Sequence, residues 1–159
     1  MNSPPVVSEE PPVRSLSFAE HCTRRAPADF DVMVLSASFE FGIDPRMLAA
    51  TVYRESGCNS KALGSSGEIG LTQVLPRVWT KRLIREGLIR TPQDLWSPMT
   101  SLRAGAYILS RLLNASAGSV FGAFRRYNGS GPKARRYAQS QMRVVNELWP
   151  EVSTPGVKP

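Results

Sequence analysis

Gly42-Ile43-Asp44-Pro45-Arg46-Met47-Leu48-Ala49-Ala50-Thr51-Val52-Tyr53-Arg54-Glu55-Ser56-Gly57 is the stretch whose reading decides the fold. Asp44 has the side chain of an N-cap, and Pro45 follows at the first helical position, where a missing N–H is no loss. Gly57 supplies the residue that turns left-handed after a last helical turn. Between these ends Leu48, Thr51, Val52 and Glu55 share one face, so a carboxylate continues an inward stripe. Partial desolvation there disfavours the charged form and raises the pKa, which is what a general acid needs to hold a proton near neutral pH and deliver it to a leaving oxygen. A glutamate paired with an arginine would explain the same position, and the helix alone leaves both readings open.

Working outward, the neighbouring patterns are also helical. Upstream, Phe30, Met33, Val34, Ala37 and Phe41 step as one apolar face that Gly42 stops. Downstream, residues 57–75 hold Gly57, Gly64, Gly67 and Gly70 with Ser60, Ser65 and Ser66 between them, which predicts a long structured loop with a short β-like pairing around 68–74. Pro76 opens a helix through Val78, Trp79 and Leu83, and a connector with Pro92 and Trp96 follows. Three more helices are expected: 101–115 on Leu102, Ala106, Leu109 and Leu113; 119–126 on Val120 and Phe124, flanked by Tyr127; and 132–149 on Tyr137, Val144, Val145 and Leu148. The fold class is mainly α, a helical domain around a Gly/Ser-rich loop. Seven of the thirteen prolines lie in the two ends, so 1–15 and 150–159 read as disordered tails around a folded unit of 16–149.

A chain of 159 residues with 42% hydrophobic residues, 17.5 kDa and a mean hydropathy of −0.21 fits one soluble domain with a core. Its apolar runs are too short to span a membrane, and Met1-Asn2-Ser3-Pro4-Pro5 lacks the basic and apolar regions of a secretory signal. The formal charge of +7 is unevenly placed. Sixteen of the twenty basic residues are Arg, and positions 77–143 hold thirteen Lys and Arg against Glu86 and Asp94 alone. Such a field suits an anionic partner, whether nucleic acid, acidic membrane or anionic polymer, and it also suits plain solvated helix faces. Arg125-Arg126 and Arg135-Arg136 are too scattered and too poor in adjacent aromatics for a nucleic-acid stripe.

Cys22 and Cys58 stand 36 positions apart and His21 is the one histidine, which excludes a Cys/His zinc site. The cysteines fit either a disulfide, worth about 3–4 kcal/mol for so long a loop, or two buried thiols. His21 and Cys22 point apart as sequence neighbours and make no catalytic pair.

Four short segments in order carry a resemblance. They are Gly42-Ile43-Asp44-Pro45 leading to Glu55-Ser56-Gly57; Gly70-Leu71-Thr72-Gln73-Val74-Leu75-Pro76; Ala104-Gly105-Ala106-Tyr107-Ile108-Leu109; and Tyr127-Asn128-Gly129. Over roughly residues 28–140 the chain resembles the catalytic domain of the soluble lytic transglycosylases, of the goose-type lysozyme-like fold, which cleave peptidoglycan glycan strands. The resemblance implies a lysozyme-like helical domain with Glu55 as the sole catalytic acid and base, Ser56 and Gly57 closing its helix, and Gln73 lining the glycan groove. Tyr127 would reach toward Glu55 with its phenol, and Asn128 would shape that corner. The candidate substrate-binding residues are therefore Ser56, Ser66, Glu68, Gln73, Tyr127 and Asn128. Two places depart from the family pattern: Thr72 stands where Met is common, with an altered groove-floor contact expected, and Ser97-Pro98-Met99-Thr100-Ser101 replaces Asp-Pro-x-x-Asn, with only a helix start expected to change. Glu68 stands where a small residue is usual, and its role is open.

With one strong carboxylate instead of the usual two, the chemistry borrows its second group from the substrate. The resemblance implies that Glu55 protonates the oxygen of the MurNAc-β-1,4-GlcNAc bond and then takes the MurNAc C6 hydroxyl proton, leaving a 1,6-anhydro end with no metal or cofactor. The competing readings are a hydrolytic muramidase with Glu68 or Asp44 holding water, Asp44 being better explained as an N-cap, a basic nucleic-acid-binding module, and a wall-binding module without catalysis. The implied partner is peptidoglycan glycan strands, with no nucleic acid and no membrane span, acting as a monomer in the periplasm or cell envelope, or phage-encoded and delivered there.

Overall fold

Around one buried helix, the computed structural model wraps the remaining elements of residues 17–149. The proline-rich ends expected as tails lie outside these described residues. The elements are a 3-10 turn at Ala19–His21, α1 (Phe30–Glu40), α2 (Pro45–Ser56), α3 (Pro76–Arg85), a second 3-10 turn at Pro92–Trp96, α4 (Pro98–Ala115), α5 (Val120–Asn128) and α6 (Gly131–Leu148).

The central helix is α2, and its ends are set locally. The Asp44 carboxylate accepts from the Arg46 N–H at 2.9 Å, Pro45 occupies the first turn, and Gly57 closes the helix at φ 58° with its N–H on the Tyr53 carbonyl. Met47, Leu48, Ala49, Ala50, Thr51 and Val52 are all buried, so more than one side of α2 is in the core. Phe18, Phe30, Val34, Leu71, Leu102, Leu109, Phe124, Tyr137 and Trp149 pack in the same cluster. A second cluster of Ile69, Val74, Leu83, Leu88, Ile89, Leu95, Ala104, Tyr107 and Ile108 underlies the loop and α3. Between them stands α4: Leu102, Ala106 and Leu109 face the first cluster, while Ala104, Tyr107 and Ile108 face the second.

The structure moves the boundaries of three expected helices. α4 begins at Pro98, which stands in its first turn with Ser97 at the N-cap position, and Ser101 is buried within that turn. α5 continues through Asn128, so Tyr127 and Asn128 are helical, and α6 starts at Gly131 and ends at Leu148. α1 carries its expected inward face, and it is also apolar outside, exposing Val32, Leu35 and Phe39.

The loop at 57–75 is held by β-bridges pairing Leu63 with Ile69 and Ile69 with Val74. Ile69 and Val74 exchange N–H···O bonds of 2.9 and 3.2 Å. Gly70 is required there: its φ is +77°, and a Cβ would lie 2.5 Å from the Leu95 carbonyl oxygen. Cys22 and Cys58 form a disulfide, which decides the question their spacing left open. The Arg24 N–H donates to the Gly57 carbonyl at 3.0 Å beside it, so the segment before α1 is tied to the end of α2.

Candidate active site

The inward stripe of α2 delivers Glu55 to the last turn of the helix, where the core gives way to a cleft. Tyr137 on α6 faces it, and its hydroxyl donates to Glu55 Oε1 at 2.6 Å. One turn later on α6, the fully buried Gln141 donates from Nε2 to the Tyr137 oxygen at 3.3 Å. The Gln141 Oε1 has no partner among the described residues.

Burial is the main influence on Glu55 and pushes its carboxyl above the ordinary glutamate value. The Tyr137 donor and the Arg54 charge pull it down, and the Glu68 charge adds to the rise. Among the described residues the close acid–base contacts are Glu20 with His21, Asp44 with Arg46 and Glu40 with Arg103. Glu55 is in none of them, so no arginine pairing explains its position among the described residues. Burial and then the Glu55 charge push both the Tyr137 and Tyr127 phenols far above the ordinary tyrosine value. Each is a neutral donor throughout the working pH range.

The cleft has a volume of about 440 Å³ and is lined by Arg54, Glu55, Asn128, Lys133, Arg136 and Tyr137. Of the residues singled out in the sequence, Glu55 and Asn128 meet there. The other candidates hold the surrounding frame together. The Ser56 hydroxyl reaches the Val52 carbonyl at 3.0 Å and the Leu71 carbonyl at 2.7 Å, fastening the end of α2 to the loop. Gln73, at φ 50°, donates from Nε2 to the Ala62 and Gly70 carbonyls, both at 3.0 Å. Its amide nitrogen therefore braces the loop, leaving Oε1 as the end not used in these bonds. Glu68 accepts the Ser66 N–H at 3.0 Å, shaping the turn between the bridged residues.

The expectation for Tyr127 is corrected. Its phenol donates to the Thr72 carbonyl at 2.6 Å, and the contact with Glu55 belongs to Tyr137. Tyr127 lies within reach of the Glu55 charge, but the packing of α5 against the loop aims its hydroxyl at a backbone acceptor. The expectations for the two departures from the family pattern also change. The Thr72 hydroxyl donates to the Ser101 carbonyl at 2.8 Å, and the Ser101 hydroxyl accepts from the Thr72 N–H at 3.2 Å. Residues 72 and 101 thus form one buried pair joining the loop to α4.

The sequence pattern does not mark Tyr137 and Gln141 as site residues, since Tyr137 reads as an ordinary core aromatic of the last helix. The available signal was of the same kind as for Glu55. At i and i+4, a phenol and a carboxamide continue the inward face of α6, and buried polar tips require partners.

The family described as Transglycosylase SLT domain matches residues 33–149. The fold is similar to that of the solved structure of an inactive mutant of the lytic transglycosylase Slt from Pseudomonas aeruginosa, with a TM-score of 0.72 at 19% identity. That match covers 84% of this chain and 26% of the other, so the chain spans about a quarter of the length of Slt.

Proposed function

Since the chain belongs to the Transglycosylase SLT domain family, we propose that it is a peptidoglycan lytic transglycosylase that cleaves the MurNAc-β-1,4-GlcNAc bond with Glu55 as its single acid and base. The observation that carries this reading is a desolvated carboxyl without an ion-pair partner among the described residues, at an open cleft, held by one neutral phenol.

In the first half of the reaction the protonated Glu55 gives its proton to the glycosidic oxygen, and the GlcNAc side leaves as an alcohol. The MurNAc acetamido oxygen supports the positive charge that develops at C1. The Glu55 carboxylate then accepts the proton of the MurNAc C6 hydroxyl as that oxygen bonds to C1. The ring closes to a 1,6-anhydro end, Glu55 is protonated again, and no water is consumed. Tyr137 supports both halves: its O–H orients the carboxyl and stabilises the anion formed between the two proton transfers. Ser56, Gln73 and Tyr127 act as the frame that fixes the loop beside the cleft, with Asn128 at the cleft itself. Activity on peptidoglycan places the protein's work at the cell envelope or periplasm.

The test is incubation of the purified protein with sacculi, followed by mass spectrometry of the released muropeptides. Products with 1,6-anhydro ends support the transglycosylase, whereas reducing ends assign a hydrolase to the same cleft. Glu55→Gln is expected to abolish cleavage while leaving the helical circular dichroism intact. Retained turnover in that variant would remove Glu55 from its role.

A further inference from the structure

Phe30, Val34, Ala37 and Ser38 turn one side of α1 into the core, while Val32, Leu35, Ser36 and Phe39 occupy the other side. Wound at about 100° per residue, these last four fall within roughly a third of the helix circumference, the i, i+3, i+4, i+7 spacing of a face that packs. It nevertheless meets solvent: Val32 is 65%, Leu35 45% and Phe39 90% exposed. Of the six large apolar side chains exposed among the described residues, three stand on this one stripe. A helix that is apolar on both sides belongs to a buried position, so α1 has the composition of a helix covered on its outer side as well. The stripe measures roughly 350 Å², as large as the largest apolar patch of a typical monomer.

Charge decides what suits it. A formal charge of +7 opposes the approach of two copies through most of their surface. Among the described helices α2 to α6 each carry Arg or Lys, and α1 carries neither. Its two acids are engaged within the chain: Asp31 accepts the Phe18 and Ala19 N–H groups, and Glu40 receives the Arg103 guanidinium at 2.6 and 2.8 Å. The stripe is thus an uncharged strip on a cationic molecule, where two copies meet without opposing cations and where an anionic surface finds nothing to grip. Its shape is also complementary to itself. With two α1 helices antiparallel about a twofold axis between Leu35 and Ser36, Val32 meets the partner's Phe39 and Leu35 meets the partner's Ser36, each contact repeated by symmetry. Every such contact sets a large side chain against a smaller one, which lets the two helices approach.

We propose that the outer face of α1 pairs with α1 of a second copy of this chain, giving a twofold dimer in place of the monomer expected from the sequence. Two stripes with their rims make an interface at the low end of the specific range, so the dimer is a weak one, with a dissociation constant of roughly 10–100 μM. No residue lining the cleft lies on α1, and both clefts stay open in the pair. Under the proposed function the gain is avidity, since two clefts on one particle engage the same polymer. The pairing itself stands apart from that reading and is measured without substrate.

The experiment is sedimentation equilibrium of the full chain at concentrations spanning that range, where the mass should rise from 17.5 kDa toward twice that value. Added salt should tighten the dimer, because it screens the repulsion between the two chains and leaves the apolar contact in place. Phe39→Glu should weaken pairing by at least about tenfold with an unchanged circular dichroism spectrum, because the side chain it replaces is outside the core. Ser36→Cys, beside the twofold axis, should be joined across the pair by a short bis-maleimide, and Val78→Cys, exposed on α3, should not. A mass that stays at 17.5 kDa throughout, a dimer indifferent to Phe39→Glu, or equal crosslinking at both cysteines overturns the pairing. So does a monomer that floats with phosphatidylcholine vesicles and loses that property in Phe39→Glu, which assigns the stripe to a lipid surface. Failure to cleave sacculi by a protein that still dimerises through α1 sinks the proposed function and leaves the pairing intact.

Discussion

Glu55 occupies a place that suits chemistry better than stability. Because burial raises its pKa, the folded protein binds more protons than the unfolded chain between the ordinary glutamate value of 4.5 and the raised value. In that window stability falls as pH rises. Glu55→Gln stays neutral throughout, so its advantage over the parent should grow from pH 4 to pH 8. Thermal melts of both proteins at the two pH values check this, and an equal shift at both contradicts it. Tyr137 works in the opposite sense, since its hydrogen bond favours the carboxylate. Tyr137→Phe should therefore move the alkaline limb of the activity profile to higher pH. It should also lower kcat roughly tenfold, as expected on losing a hydrogen bond to a charged group. Gln141→Leu is expected to move the limb in the same direction by less, because the carboxamide donates to the phenol oxygen and strengthens the O–H as a donor. A loss of activity in Gln141→Leu with an unmoved pH limb would assign the residue to packing alone.

At the level of elements, the loop depends on contacts that sequence patterns do not contain. Thr72 is pressed against α4, where a Cβ on Gly105 would lie 2.5 Å from its Cγ2, and it exchanges bonds with Ser101 across 29 positions. Thr72→Val keeps the shape and removes the hydroxyl, leaving the Ser101 carbonyl without this donor. A loss of about 1–3 kcal/mol in urea titration is expected. The Tyr127 contact is to a backbone carbonyl and should survive the change. α2 was legible because its start and stop signals are local: Asp44, Pro45 and Gly57 act on backbone within one turn. The Gly/Ser loop and the inward course of Glu55 were legible for the same reason. The start of α4 lies three residues before the expected one although Ser97-Pro98 is a local signal of the same kind as Asp44-Pro45; it is the weaker of the two, because the Ser97 side chain makes no cap bond. The exchange of Tyr127 for Tyr137 has a tertiary cause. Both are inward aromatics on neighbouring helices, and only the packing of α5 and α6 around α2 and the loop decides which hydroxyl meets the carboxyl.

Over the whole molecule, the basic half and the disulfide affect different properties. Of the thirteen cations between positions 77 and 143, Arg103 alone has a carboxylate partner among the described residues, so the field is largely open to solvent. Raising salt should weaken binding to sacculi more than it lowers turnover on a short neutral glycan; equal losses in pull-down and turnover assays would contradict long-range steering. The disulfide instead constrains the unfolded chain. The segment it anchors is already packed without it: Asp31 accepts the Phe18 and Ala19 N–H groups at 2.9 and 2.8 Å, and Phe18 meets Trp149 edge-on at 5.1 Å. Those contacts should keep the fold after the bond is removed. What is lost is the restriction on a loop spanning a separation of 36 residues, worth about 3–4 kcal/mol. Replacing Cys22 and Cys58 by Ser together should lower the unfolding free energy by that amount, and the denaturation midpoint with it, while muropeptide release continues under conditions where the variant is folded. An unchanged midpoint would deny the bond its stabilising role. Lost activity in a fully folded variant would instead show that the disulfide, three residues beyond Glu55, also fixes the end of α2.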